Sequence, residues 1–212
     1  VETPGRGLDI SNQVAGPVAN NTFISTGGDY GMYITDLSDP DIFNNIIQGF
    51  QTGIRAESEV SNISFNDLWD NDGSFSGTGL PDLIGEVVSV NANNDPSDVY
   101  ANIFLDPLFV VPDSGPSDYS LQVTSPCINA GDPSLTDPDG TVSDIGVFSF
   151  DINVVITHTP LGSTIDTDGP YTVTVSAISP VGFDVTASVF YHVNSGAFTE
   201  VPMTDDGSGN FS

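Results

Sequence analysis

Lysine is absent from this 212-residue chain, and arginine occurs only at Arg6 and Arg55. Against these two cations stand 29 aspartates and glutamates, a formal net charge of −27 at pH 7. A surface that neutralises nucleic-acid phosphates needs clustered Lys and Arg, so the composition argues against nucleic-acid binding. Attraction to an anionic membrane surface fails for the same reason. Cysteine is nearly absent. Cys127 stands alone and cannot form an internal disulfide. No histidine or cation lies near it in the sequence to activate it, so it reads as a buried, inert thiol. No run approaches the ~18 consecutive apolar residues that a membrane-spanning helix needs, which argues against membrane insertion.

What is present counters a disordered reading. Hydrophobic residues make up 38% of the chain and phenylalanine alone counts 13, enough apolar material for a packed core. The acidic excess still repels itself. It is best tolerated in salty water, where charges more than ~8 Å apart are screened, or where cations bind. The chain opens Val1-Glu2-Thr3 and ends as a strand pattern begins near Asn210-Phe211, so it reads as a segment of a longer polypeptide.

Three segments repeat. Gly7-Leu8-Asp9-Ile10 aligns with Gly31-Met32-Tyr33-Ile34 and Gly53-Ile54-Arg55-Ala56, at glycine spacings of 24 and 22. Behind each comes a second block: Val18-Ala19-Asn20-Asn21-Thr22-Phe23, Ile42-Phe43-Asn44-Asn45-Ile46-Ile47 and Ile63-Ser64-Phe65-Asn66-Asp67-Leu68. Each block reads as a short alternating strand followed by a turn residue. A period of this size predicts stacked β-coils, each burying its inward side chains only against its neighbours. Asn21, Asn45 and Asn66 fit a ladder of amides at a bend, hydrogen-bonded from coil to coil. Over about residues 7–71 these motifs resemble the right-handed parallel β-helix proteins of the pectin-lyase-like type.

Residues 72–105 break the period and read as a coil carrying a long inserted loop, with Glu86–Val90 as a strand. Loops of that length on a rigid scaffold are often functional. In residues 106–150 the succession Asp106-Pro107-Leu108-Phe109, Asp118-Tyr119-Ser120-Leu121, Ser125-Pro126-Cys127-Ile128-Asn129-Ala130-Gly131-Asp132, Asp137-Pro138-Asp139-Gly140 and Asp144-Ile145-Gly146-Val147-Phe148 resembles the C-terminal end of β-helix domains in secreted bacterial surface proteins. That resemblance implies a cap on the open end of the solenoid.

From about residue 153 the pattern changes. Val154–His158, Tyr171–Ile178, Ala187–Val193 and Ala197–Val201 alternate as strands, with Asn194-Ser195-Gly196 as a hairpin turn. This stretch resembles the first half of an immunoglobulin-like or fibronectin-III-like sandwich. A complete sandwich has about seven strands. The expected fold class is therefore all-β: residues 1–151 as β-helix coils and cap, and residues 152–212 as an incomplete sandwich.

Candidate chemistry is sparse. Polysaccharide lyases on β-helices need a Lys, Arg or His base and a cation to neutralise a uronate. Only Arg55 lies on a coil recognised from the repeat, while His158 and His192 fall in the second module as ordinary strand residues. Glycoside hydrolysis needs two carboxylates at a suitable separation. The best local set is Asn66-Asp67-Leu68-Trp69-Asp70-Asn71-Asp72, with three aspartates, Asp67, Asp70 and Asp72, flanking the single tryptophan Trp69. Its alternatives are sugar binding, with Trp69 as a stacking face, or a packed core edge with aspartates in a polar turn. Tyr30 and Tyr33 flank the second Gly-Met unit; alternation points one in and the other out, and the exposed one, taken as Tyr33, is a further candidate carbohydrate contact. Asp137, Asp139 and Asp144, with Asp132 nearby, offer several oxygens within a short span, either to Ca²⁺ or to their own backbone as Asx-turns. Asp166–Gly169 and Asp205–Gly207 read as plain turns.

Two functions follow as expectations. One is a non-catalytic extracellular structural or adhesive module, with a polysaccharide or further copies of itself as partners, the copies joined by strand exchange into filaments. The other is a fragment of a polysaccharide-active enzyme, lyase or glycoside hydrolase, with its catalytic coils mostly upstream.

Overall fold

The structure, a computed structural model, describes residues 5–111, 118–150, 155–158, 172–178, 185–192 and 197–212. Every regular element among them is a strand. Their order is β1 (Arg6–Ile10), β2 (Ala15–Ala19), β3 (Thr22–Ile34), β4 (Asp39–Phe43), β5 (Ile46–Ala56), β6 (Asn62–Ser64), β7 (Asp67–Trp69), β8 (Gly73–Ser76), β9 (Ser89–Val90), β10 (Pro96–Ser97), β11 (Phe109–Val111), β12 (Asp118–Leu121), β13 (Val155–His158), β14 (Val175–Ile178), β15 (Ser188–Tyr191), β16 (Thr199–Pro202) and β17 (Asn210–Phe211). The chain divides into two compact units, Val1–Phe150 and Asp151–Ser212.

The first unit is a stack of parallel β-coils. One sheet runs β1-β3-β5-β7 with β8 also paired to β5, and a second runs β2-β4-β6. Every neighbour in both is parallel. The long strands β3 and β5 each serve two legs of a coil. The register of their pairing shifts between Ile24 and Gly28, where the leg turns. Gly49 sits at that turn with φ +79°, and a Cβ there would lie 2.0 Å from the Ser25 carbonyl oxygen, so only glycine fits.

The register places like residues of successive coils in rows. Leu8, Met32, Ile54 and Phe75 form one, Val18, Ile42 and Ile63 a second, and Phe23, Ile47 and Leu68 a third. All point into a shared apolar core. Each fully buried Ile or Leu there contributes roughly 2–3 kcal/mol by leaving water, and only because a neighbouring coil covers it. The repeat glycines form a further row. A Cβ on Gly7 would stand 2.6 Å from the Gly31 carbonyl oxygen, and one on Gly31 2.6 Å from that of Gly53. The recurring glycine is therefore a packing requirement between coils.

The asparagine ladder holds one corner. Asn45 Oδ1 accepts from Asn21 N at 3.1 Å and Asn21 Nδ2 at 3.0 Å. Asn66 Oδ1 accepts from Asn45 N at 3.0 Å and Nδ2 at 2.9 Å. The ladder then continues past the insertion, with Asn102 Oδ1 accepting from both Asn66 nitrogens at 3.0 Å. Asp98 ends it, its oxygens taking Asn102 N at 2.9 Å and Nδ2 at 3.0 Å. The residue before each rung, Asn20, Asn44, Phe65 or Ala101, has φ between 55° and 61°. Asparagine adopts that left-handed turn more readily than other non-glycine residues, which accounts for the Asn-Asn pair in the first two coils.

Residues 106–111 and 118–150 pack with Ile46 and Ile103 as a second apolar cluster, with Phe109, Leu121, Cys127, Ala130 and Ile145 at its heart. This segment reaches back across several coils. Val147 N donates to Thr22 Oγ1 at 3.2 Å, and Gly146 N to the Asn44 carbonyl at 2.8 Å. Asn44 Nδ2 donates to Ser143 Oγ at 2.9 Å. The segment therefore lies along the flank of the stack rather than over its last coil alone. In the insertion the expected strand Glu86–Val90 shrinks to β9, paired antiparallel with β10.

Among the described residues, the second unit holds two small antiparallel sheets, β13-β14-β17 and β15-β16. A cleft of about 560 Å³ runs between them, lined by Ile156, Val175, Ala177, Val189, Phe190 and Met203 among others. The expected turns Asn194-Ser195-Gly196 and Asp166–Gly169 lie outside the described residues.

Replacing Asn66 with alanine strips acceptor and donor from the middle of the ladder. Stranding buried partners costs ~1–3 kcal/mol each, so Asn66→Ala is expected to lower the melting temperature by about 6 °C or more. Thermal unfolding followed by circular dichroism checks it, and an unchanged midpoint would show that the ladder does not hold the corner.

Candidate functional site

The repeat alignment carries a consequence on the solvent side of the first leg. Arg6 pairs in register with Tyr30 and Tyr30 with Thr52, while Asp9 pairs with Tyr33 and Tyr33 with Arg55. Every position shares its row with the residue at the same distance from the next coil's glycine. This brings both cations of the chain onto one surface with two tyrosines. Tyr30 and Tyr33 stack, ring centroids 5.4 Å apart at an interplanar angle of 22°. The Arg6 guanidinium lies 4.1 Å from the Tyr33 centroid and 5.6 Å from that of Tyr30. Arg55 lies 5.6 Å from the Tyr30 centroid. Cation–π attraction of this kind contributes about 0.5–1 kcal/mol at exposed sites.

Each guanidinium also holds a carboxylate. Arg6 bonds Asp9, and Arg55 bonds Glu57 through Nε at 2.7 Å and through Nη2. The Glu57 hydrogen bond, with the nearby carboxylate charge, raises the Arg55 pKa further above its ordinary value. Arg55 is thereby held in its charged form. The result is a slab of planar groups, two aromatic and four ionic, with donors and acceptors side by side.

The residues around the tryptophan fall elsewhere. Trp69 pairs with Gln48, and Gln48 with Ile24, on the leg before the turn. Tyr33 lies on the leg after it, so Trp69 and Tyr33 do not share a site. Asp70 is exposed, with φ 52°. Asp67 is 0% exposed and so cannot meet a ligand at the surface. Its Oδ2 accepts from the Cys127 thiol at 3.3 Å and its Oδ1 from Leu105 N at 3.2 Å. Burial pushes the Asp67 pKa up to about 8, against the smaller lowering by those two hydrogen bonds. Burial also pushes the Cys127 thiol well up, with the Asp67 carboxyl adding to it. This cysteine is a buried, unreactive one.

The aspartates proposed for calcium spend their oxygens on the backbone. Asp132 Oδ1 accepts from Ser134 N at 2.8 Å, and Asp139 Oδ1 from Thr141 N at 2.9 Å. Asp137 Oδ2 accepts from Asp144 N at 2.9 Å. Asp144 is buried and accepts from Asn129 N at 2.7 Å and from Phe150 N. Burial, with the Asp137 charge, lifts its pKa to about 6 despite those bonds. No group of three or more His, Cys, Asp or Glu side chains among the described residues converges to hold a metal ion.

Reading by local motif missed Arg6, Asp9 and Glu57. The signal that finds Arg6 and Asp9 is columnar: they share rows with Tyr30 and Tyr33, the positions just before and two after each repeat glycine. Comparison with protein-family models, with curated proteins and with solved structures finds no match to this chain.

The buried acid sets a pH dependence. Its folded pKa of about 8 exceeds the unfolded value of about 3.9. The stability it allows is therefore complete below pH ~4 and is lost as the pH climbs towards 8. Asp67→Asn removes that loss. At pH 8 the variant should be more stable than wild type by on the order of 3 kcal/mol, with the difference vanishing near pH 4. Urea unfolding at the two pH values measures it, and equal stabilities at pH 8 would contradict the assignment.

Proposed function

We propose that this chain is a non-catalytic, secreted glycan-binding module. In this reading the coils are the end of a right-handed, pectin-lyase-like β-helix, and the second unit is part of an Ig-like or fibronectin-III-like sandwich. The observation that carries it is the gathering of Tyr30, Tyr33, Arg6 and Arg55 on one rigid face. Aromatic rings offer apolar patches to sugar C–H groups, while guanidinium and carboxylate pairs exchange hydrogen bonds with hydroxyls. The stacked coils pre-organise the slab, which limits the entropy lost on binding.

Catalysis is poorly supported by the same residues. The cation that a lyase needs as a base or neutraliser is Arg55, and it is occupied by Glu57. Asp67, which a hydrolase would need at the surface, is buried against Cys127. The acidic surface suits an extracellular medium whose ions screen it. A second reading, self-association through the second unit, is favoured by the exposure of Ile156 and Phe190 at 67% and 61%. Light scattering across concentrations separates it from a monomeric binder.

Tyr33→Ala should weaken polysaccharide binding at least tenfold, with Tyr30→Ala acting in the same direction. Affinity electrophoresis against immobilised polysaccharides checks both. Retained binding in the double variant would move the site elsewhere, and release of reducing ends or unsaturated products by wild type would restore the enzymatic reading.

A further inference from the structure

We infer that the Tyr30–Tyr33 face selects neutral glycans and rejects acidic ones. This rests on the glycan-binding reading and names the class of sugar.

The positive charge on this face is already spent. A face that captures uronates or sulfated sugars offers guanidinium groups free to receive the ligand's anion. Here both guanidiniums of the chain are held, Arg6 by Asp9 and Arg55 by Glu57. A ligand carboxylate would have to evict one of these side chains and leave its charge unpaired alongside. Asp29, whose Oδ1 accepts from Gln51 Nε2 at 3.4 Å, adds a further negative charge beside Tyr30 in the chain. Beyond the face, the net charge of −27 repels a polyanion before contact. A neutral sugar meets none of these penalties. A hydroxyl both donates and accepts, so it can give its hydrogen to Asp9 or Glu57 and take one from the paired arginine without separating them.

The ion pairs sit at the surface, with side-chain exposures of 39% and 48% for Arg6 and Asp9, and 36% and 31% for Arg55 and Glu57. Exposed pairs contribute little to stability, so neutralising their acids leaves the fold intact. That makes Asp9→Asn/Glu57→Gln a usable probe: it frees both guanidiniums and removes two negative charges.

The test titrates the full 212-residue chain with two panels of soluble polysaccharides at low salt. The neutral panel holds β-1,3-glucan, xylan, mannan and galactan. The acidic panel holds polygalacturonate, alginate and chondroitin sulfate. The expected result is binding within the neutral panel at least tenfold tighter than to any acidic member, with the double variant gaining at least tenfold for acidic members. Tighter binding of an acidic polysaccharide by wild type, lost in Arg6→Ala/Arg55→Ala, would overturn the inference and leave the glycan-binding reading standing. Neutral preference that the double variant leaves unchanged would overturn it too, since charge would not then be the cause. Binding to no member of either panel would overturn the glycan-binding reading itself, and this inference with it.

Discussion

The parallel stacking of the coils depends on the asparagine ladder. A coil of little more than twenty residues cannot bury its own apolar side chains. It must sit on its neighbour in one register, because a slip of one residue turns the inward row outward. Each rung fixes that register by presenting one amide oxygen to both the backbone and side-chain nitrogen of the coil before it. The other side-chain hydrogen goes to carbonyls of the same corner, such as Ser64 and Ile42 for Asn66. Such a chain has a direction, with donors always passing to the next rung. Its last member therefore needs an acceptor that asks for no further partner. Asp98 fills that place, and it also takes Gly85 N and Tyr100 N. The inserted loop is thus tied to the ladder by the residue that ends it.

The same register sorts the few unusual side chains. Rows that face inward hold Ile, Leu, Met and Phe, and rows that face outward are free to vary. In a chain with 29 acids and two arginines, each arginine gains by lying near carboxylates, and both do. The tyrosines add a flat surface for the guanidiniums to lie against. Stability alone can account for each pair separately. It does not require both arginines and both tyrosines to share one face, and their convergence there makes that face the functional candidate.

Much of the first unit was legible in the residues, and the reasons are specific. The repeat glycines and Asn21, Asn45 and Asn66 gave the coil boundaries, because close approach and amide pairing tolerate few substitutes. Asn102 was hidden by the insertion, although Asn102-Ile103-Phe104 repeats the Asn45-Ile46-Ile47 pattern and Ile103 N bonds the Asn66 carbonyl at 2.8 Å. Trp69 and its aspartates drew attention as a local cluster, yet Asp67 on β7 is buried, while Asp70, just past the end of β7 with φ 52°, is carried outside by the turn. The Tyr–Arg face is only partly visible locally. Its members fall in three short clusters, Arg6 with Asp9, Tyr30 with Tyr33 and Arg55 with Glu57, and only the row index joins the clusters. In the second unit, strand alternation located β13 to β16 and the hairpin partners β15 and β16, while alternation by itself carries no information on the pairing of β13 with β14 or of β14 with β17.

Asp67 shows what the fold does with a carboxyl that cannot stay outside. It faces the seam between the third coil and the flanking segment, among Ile46, Ile103 and Cys127. Among the described residues, one thiol and one backbone N–H reach it, too few donors to stabilise a buried charge. It is accommodated as the neutral acid, and burial outweighs both hydrogen bonds in setting its pKa. A thiol suits this position because it packs as a small apolar group and still offers a weak donor. A lysine or arginine there would ionise the acid, but would bring a second charge into the same seam and need further partners of its own. The lone cysteine of a chain almost without cations is thus a packing solution to one buried acid.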